Sequence, residues 1–117
     1  MSQAELTFRV VRGIEPSFSI SCTDNPAKTS TTFVVAHDRV GSEIGVEIEV
    51  LDTRGRTLWR HEDSSTSTDS NYTYTWDLTA SGGQHLETGV YLYRVKLTAD
   101  GATKRSKAKK LIVINNK

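Results

Sequence analysis

A chain of 117 residues, a quarter of them charged and with a formal net charge of +1, is long enough to bury one hydrophobic core and too short for two. The near balance of charge supplies no long-range field that would select nucleic acid or an acidic partner. A lone cysteine, Cys22, excludes an intramolecular disulfide and with it the disulfide-stapled scaffolds, and no run approaches the roughly 18 to 20 apolar residues that a membrane helix needs.

Met1-Ser2-Gln3-Ala4-Glu5 is not the basic-then-apolar opening of a signal peptide. Residues 1–13 read as a linker or an extra strand, Leu6 to Val11, ahead of a domain expected over residues 14–117. The uncapped start, and an end just after an apolar strand, suggest a C-terminal module of a longer parent. From there period-2 alternation recurs between turn signals and no segment carries helical periodicity, so the chain is all-β. Phe18-Ser19-Ile20-Ser21-Cys22 alternates and stops at Asp24-Asn25-Pro26, where proline removes a ladder donor. A second strand covers Thr31 to His37. Val46-Glu47-Ile48-Glu49-Val50 is the cleanest half-buried strand, its aliphatics inward and both glutamates in water. Asp52-Thr53-Arg54-Gly55-Arg56 has the acid and the glycine of a short bulged hairpin, and Thr57 to His61 returns from it.

From Glu62 to Ser70 nearly every residue is Ser, Thr or Asp, which predicts an exposed loop. Tyr72, Tyr74, Trp76 and Leu78 then share one face of a strand, the aromatic part of the core. Ala80-Ser81-Gly82-Gly83-Gln84 is a turn. Gly89 to Leu97 has apolar residues on both faces near its start and should be central, with Gly89 as a turn glycine and Tyr91 as a corner residue whose hydroxyl bonds back to the preceding turn. Tyr93 then stands where antibody domains place a bridging cysteine. Asp100-Gly101 turns the chain into a last strand from Lys104 to Ile114. About seven antiparallel strands spaced in this way, without a disulfide, make an immunoglobulin-like β-sandwich.

No residue pattern demands catalysis. Cys22 with His37, His61 or His85 could supply a thiol peptidase, yet Cys22 shares a strand face with Phe18 and Ile20 and reads as a small buried hydrophobe. The histidines lack zinc-ligand spacing, and Asp63 and Asp69 sit in no calcium-loop pattern, so neither metal nor cofactor is expected. Among Trp59, Trp76, Tyr72, Tyr74, Tyr91 and Tyr93, only Trp59 is placed to be exposed, the one candidate for stacking on a sugar. Lys104, Arg105, Lys107, Lys109 and Lys110 form the one charge cluster, which suits a lysine-protected edge strand, or contact with anionic lipopolysaccharide. Asn71-Tyr72-Thr73 matches a glycosylation sequon too short to carry weight.

Taken in order, Asp24-Asn25-Pro26-Ala27, Val50-Leu51-Asp52-Thr53-Arg54-Gly55-Arg56, Trp76-Asp77-Leu78 with Gly82-Gly83, Leu86 to Arg94 and Lys109-Lys110-Leu111-Ile112-Val113 resemble the Ig-like domain of flagellar hook-capping proteins and the C-terminal domains of type IX secretion. His37-Asp38-Arg39 and Leu58-Trp59, with Tyr91-Leu92-Tyr93-Arg94, make the chain most similar to the C-terminal domain of the PorU-type sortases of that system in Bacteroidetes, over about residues 17 to 115. Parents of that group are gingipain-related cysteine peptidases whose catalytic dyad lies upstream. The resemblance therefore implies a non-catalytic module, monomeric in isolation, that reaches the cell surface through the periplasm. It would direct its parent across the outer membrane and hold it there by docking to an outer-membrane component of the machinery. Docking is expected along Lys109, Lys110, Leu111, Ile112, Val113 and Ile114 by strand addition, with Asn25, Pro26, Asp52, Gly55, Trp76, Gly89 and Tyr91 as the structural motif. An accessory carbohydrate-binding or adhesion module is the alternative, and a self-associating scaffold like a hook cap a third.

Overall fold

The computed structural model describes residues 16–115, so the expectations for residues 1–13 lie outside the described residues. Eight strands follow in order: β1 (Phe18–Cys22), β2 (Thr31–His37), β3 (Glu43–Leu51), β4 (Thr57–Thr66), β5 (Asn71–Trp76), β6 (Gly89–Ala99), β7 (Ala102–Arg105) and β8 (Lys109–Val113). They form two antiparallel sheets, β1-β2-β5 and β4-β3-β6, with β7 and β8 both on the outer side of β6. The all-β sandwich without a disulfide is thus the observed fold, with Cys22 free.

Alternation decides which face is buried. Val46, Ile48 and Val50 of β3 turn inward to meet Phe33 and Val35 of β2, Val95 and Leu97 of β6, and Leu111 and Val113 of β8. Each such side chain taken fully out of water contributes on the order of 1.5 to 3 kcal/mol. Phe33 is the hub between the sheets, 5.8 Å from the ring of Trp76 and 5.4 Å from that of Tyr93. Tyr93 occupies the expected inter-sheet position beside the Cys22 side chain; burial first, then this neighbour, pushes its hydroxyl pKa up.

The turns obey their local chemistry. Asp52 accepts from the Arg54 and Arg56 amides through one carboxylate oxygen at 2.9 Å each, and Gly55 takes the left-handed φ of 90° that closes the bulged hairpin. These amides, the Arg56 bond foremost, hold the Asp52 carboxyl below its ordinary range. Asp100 and Gly101, at φ 54° and 80°, make the two-residue turn into β7. Leu78 also has positive φ, 65°, and is fully buried; side-chain burial offsets a backbone cost of about 1–2 kcal/mol.

Three expectations are corrected. β4 runs on to Thr66, because the backbone of β3 extends to Glu43 and pairs with it in spite of the polar side chains. The predicted loop shrinks to the residues after Thr66, and Ser67 within it is buried. The last strand is split: Tyr93 faces Lys109 while Lys96 faces Arg105, a one-residue slip absorbed at Ser106, whose hydroxyl accepts from the Val95 amide at 2.9 Å. Gly89 opens β6 without a left-handed φ, so it is a strand residue and not a turn glycine.

The corner itself is as expected: the Tyr91 hydroxyl donates to the Glu87 carbonyl at 2.7 Å. On the outer face of the larger sheet Glu47 pairs with Arg60 and Lys96 at 3.3 Å each, and Glu49 with Arg94 at 2.8 Å. Burial works to raise the Glu47 pKa, but its bonds to Glu62 and Lys96 and the charges of Lys96 and Arg60 outweigh it and hold the carboxyl low.

Two outcomes follow. Tyr91→Phe removes the corner bond and costs about 1 kcal/mol, read as a fall in Tm of roughly 4 to 8 °C; an unchanged Tm would mean that the bond is idle. Glu47 is more acidic folded than unfolded, so its contribution is complete above the ordinary glutamate range and is lost as pH falls through that range toward the lower folded value. Lys96→Met should therefore flatten the acid limb of a Tm-against-pH curve, and two parallel limbs would refute that role for Glu47.

Candidate docking surface

Lys109 to Ile114 were expected to offer a free sheet edge. The outer side of β8 is instead occupied by the segment following β1. The Asn25 side-chain amide donates to the Lys110 carbonyl at 2.9 Å and accepts from the Ile112 amide at 3.0 Å. Ala27 then donates to the Ile112 carbonyl and accepts from the Ile114 amide, each at 2.8 Å. Pro26, joined to Asn25 by a cis peptide, lies between these contacts. Strand addition along β8 is excluded because the backbone groups that it would use are already bonded. Leu111 and Val113 are fully buried, and the Lys109 ammonium donates to the Ile20 carbonyl of β1 at 2.6 Å, tying the two sheets together.

What remains outward is a matter of register. Val90 faces Ile112 and Leu92 faces Lys110 across the β6–β8 ladder, while the intervening pair, Tyr91 and Leu111, turns to the core. Val90 is 45% exposed, one of two large aliphatics so exposed among the described residues. With Ile112 half-buried and Lys110 exposed, the outer face of β6–β8 presents a small apolar surface edged by a cation. Lys104, Arg105 and Lys107 are exposed beyond it. Lys104 stands opposite the core residue Leu97, an inward-placed charge that discourages edge pairing.

The residues considered for catalysis are not brought together. Cys22 meets Tyr93. His37 is buried, with its Nδ1 accepting from the Arg39 amide at 3.0 Å and its Nε2 3.3 Å from the Ser67 hydroxyl, which itself donates to the Asp69 carbonyl at 2.8 Å. Because Nδ1 is the acceptor, Nε2 carries the proton, so His37 cannot take one from Ser67. His61 lies on the ring of Tyr74 at 3.8 Å, and His85 Nδ1 donates to the Leu86 carbonyl at 2.9 Å. Asp63 accepts from the Tyr72 hydroxyl at 2.9 Å; burial first, and then Asp63, raises the Tyr72 pKa. Asp69 caps the Asn71 amide at 3.0 Å. Among the described residues no group of three or more His, Cys, Asp or Glu is placed to hold a metal ion.

The opposite side of the sandwich, where β4 and β5 are both edge strands, carries the aromatic residues. Trp59 is half-buried against Trp76 at 5.0 Å and Tyr74 at 6.0 Å. A groove of about 350 Å³ runs beside them, lined also by Ser30, Thr75, Asp77 and Thr79. Trp59, expected from the sequence to be exposed, is half-buried against its aromatic neighbours; the polar rim was not legible in the sequence, since only the turn after β5 brings Asp77 and Thr79 beside it.

No family model and no curated protein matches the sequence. Solved structures do. PorU from Porphyromonas gingivalis, crystallised as a latent dimer, overlays with a TM-score of 0.78 at 30% identity, covering 88% of this chain and 10% of that one, so the chain spans about a tenth of PorU. FlgD from P. aeruginosa overlays at 0.56 with 18% identity, covering 84% of this chain and 75% of that one. PorZ, a surface component of the type-IX secretion system of P. gingivalis, gives 0.50 and 22%, covering 82% of this chain and 11% of that one. The last two share the fold alone, while the overlay with PorU joins fold to sequence, and the described sandwich resembles a PorU-like C-terminal Ig-like domain.

Proposed function

We propose that the chain is a non-catalytic module of a bacterial cell-surface cysteine peptidase of the type IX secretion sortase kind, serving outer-membrane translocation or retention by docking to an outer-membrane component of that machinery. The observation that carries the reading is the likeness to PorU, 30% identity over 88% of the chain at a TM-score of 0.78. Domain limits of 14–117 and a monomeric state in isolation belong to the same proposal. The residues support a binding role over a chemical one, because the histidines, the cysteine and the acids are each engaged in separate structural contacts.

Docking then proceeds through side chains. The segment Lys109 to Ile114 contributes Lys110 and Ile112, joined by Val90 across the ladder, and the exposed Arg105 and Lys107 suit contact with an anionic lipopolysaccharide. Removing residues 110–117 would take Leu111 and Val113 out of the core, with a cost of several kcal/mol, on the order of 2–5 for each large aliphatic lost. Such a deletion confounds export with folding, whereas surface substitutions separate them.

A periplasmic reporter fused ahead of residues 14–117 in a type IX-competent host should reach the cell surface and fail to do so in a secretion-deficient strain. The double variant Val90→Glu, Lys110→Glu should leave Tm nearly unchanged and reduce surface reporter to about a tenth, the effect of some 1.4 kcal/mol of docking. A reporter retained in the periplasm would sink the targeting role. Full surface delivery of the double variant would move docking away from the β6–β8 face.

A further inference from the structure

We infer that the groove between the β4 and β5 edges is a carbohydrate site, one that takes a neutral pyranose unit of a glycan. This inference rests on different residues from the docking reading and stands or falls separately. The floor is aromatic: Trp59, Tyr74 and Trp76 line the groove, Trp76 buried and Trp59 and Tyr74 only half-buried. Trp59 is held in place by its neighbours, with Trp76 at 5.0 Å and His61 nearly parallel at 6.1 Å. Such a surface is rigid before any ligand arrives, so little side-chain entropy is lost on binding.

The rim is polar, one carboxylate among hydroxyls. Asp77 is exposed; one carboxylate oxygen accepts from the Thr79 hydroxyl at 2.6 Å, which orients the group and leaves the second oxygen to accept from a ligand. The Thr79 carbonyl accepts from the Trp76 indole at 3.0 Å, fixing the turn that carries both residues. Ser30 and Thr75 add hydroxyls on the far wall, Thr75 sharing a bond with Thr32 at 2.8 Å. Among the described residues no lysine or arginine lines the groove, so none of them recruits phosphate or sulfate there.

An occupant must therefore offer an apolar face to the aromatic floor and hydroxyl donors to an acceptor-rich rim. A pyranose does both, with C–H bonds on its face and vicinal hydroxyls at its edge, and a charge-assisted bond to Asp77 gives it orientation. A proline-rich strand would also lie on aromatics, but its tertiary amides bring no N–H donors to Asp77. The volume, about 350 Å³, falls at the small end of ligand sites, roughly 300 to 1,000 Å³.

The test uses the full chain, labelled with nitrogen-15 and titrated in turn with gluco-, xylo-, manno- and galacto-oligosaccharides and with a decaproline peptide. One neutral oligosaccharide should shift the Trp59 indole resonance in a saturable manner. Asp77→Ala should weaken that binding by about tenfold with the remaining spectrum unchanged, and Trp59→Tyr should keep part of the affinity that Trp59→Ala loses. Silence from every sugar at millimolar concentration overturns the inference. So does a response to decaproline alone, or sugar binding that survives Asp77→Ala.

Discussion

Everything in this sandwich depends on the contact of Phe33 with Tyr93 and Trp76. A two-sheet protein of this size must hold its layers at a fixed spacing, and a disulfide is not available to do so. Phe33 on β2 reaches across to Tyr93 on β6 and along its own sheet to Trp76 on β5. Aromatic pairs of this geometry add roughly 0.5 to 1.5 kcal/mol each beyond their buried area. Tyr93 brings its hydroxyl into the interior beside the Cys22 side chain. The aromatic pair Phe33–Tyr93 thus joins β2 to β6, the two layers that antibody-type domains bridge with a covalent bond.

With the layers fixed, the two flanks of the sandwich are finished differently. At the β1/β8 flank, Lys109 crosses from one sheet to the other, and Asn25 with Ala27 takes up the outer backbone groups of β8. That flank behaves as a closed seam. At the β4/β5 flank closure is by side chains: the Tyr72 hydroxyl reaches Asp63 on β4 and the His61 ring lies on Tyr74. Side-chain closure leaves gaps where strands diverge, and one of them is the groove beside Trp59. The mechanical difference is that the β8 side leaves side chains outward where its backbone is already bonded to Asn25 and Ala27.

How much of this the sequence discloses depends on how local each cause is. The inward set Val46, Ile48, Val50, the Asp52–Gly55 hairpin, the Asp100-Gly101 turn and the Tyr91–Glu87 corner each depend on residues a few positions apart, and each is legible in composition and spacing. The seal on β8 is not, since Asn25 meets Lys110 from 85 residues away and no periodicity encodes that meeting. Reading Leu111 to Ile114 as an apolar edge was correct about strand and polarity and mistaken about availability. The polar run after His61 misleads for a related reason: Ser, Thr and Asp disfavour a core, but a strand with one side in water needs only its backbone partner, which β3 supplies. Leu78 hides behind its neighbours, because a leucine at φ 65° is unfavourable locally and is chosen by the cavity that it fills.

The candidate sites follow the same division. A residue's chemistry can be read from the sequence, but whether it faces water is decided by register. Lys109 and Lys110 are adjacent and identical, yet one is spent on the Ile20 carbonyl while the other stands on the outer face beside Leu92. Because strand side chains alternate, a one-residue slip at Ser106 sets which lysine does which. Had the last strand run on without that slip, Leu111 and Val113 would point outward, and the core would lose two of its fully buried aliphatics. The irregularity at Ser106 is therefore what lets one strand carry an exposed cationic half, β7, and a core-closing half, β8, and it is the reason that the surface proposed for docking is built from alternate residues of a segment whose other members hold the fold together.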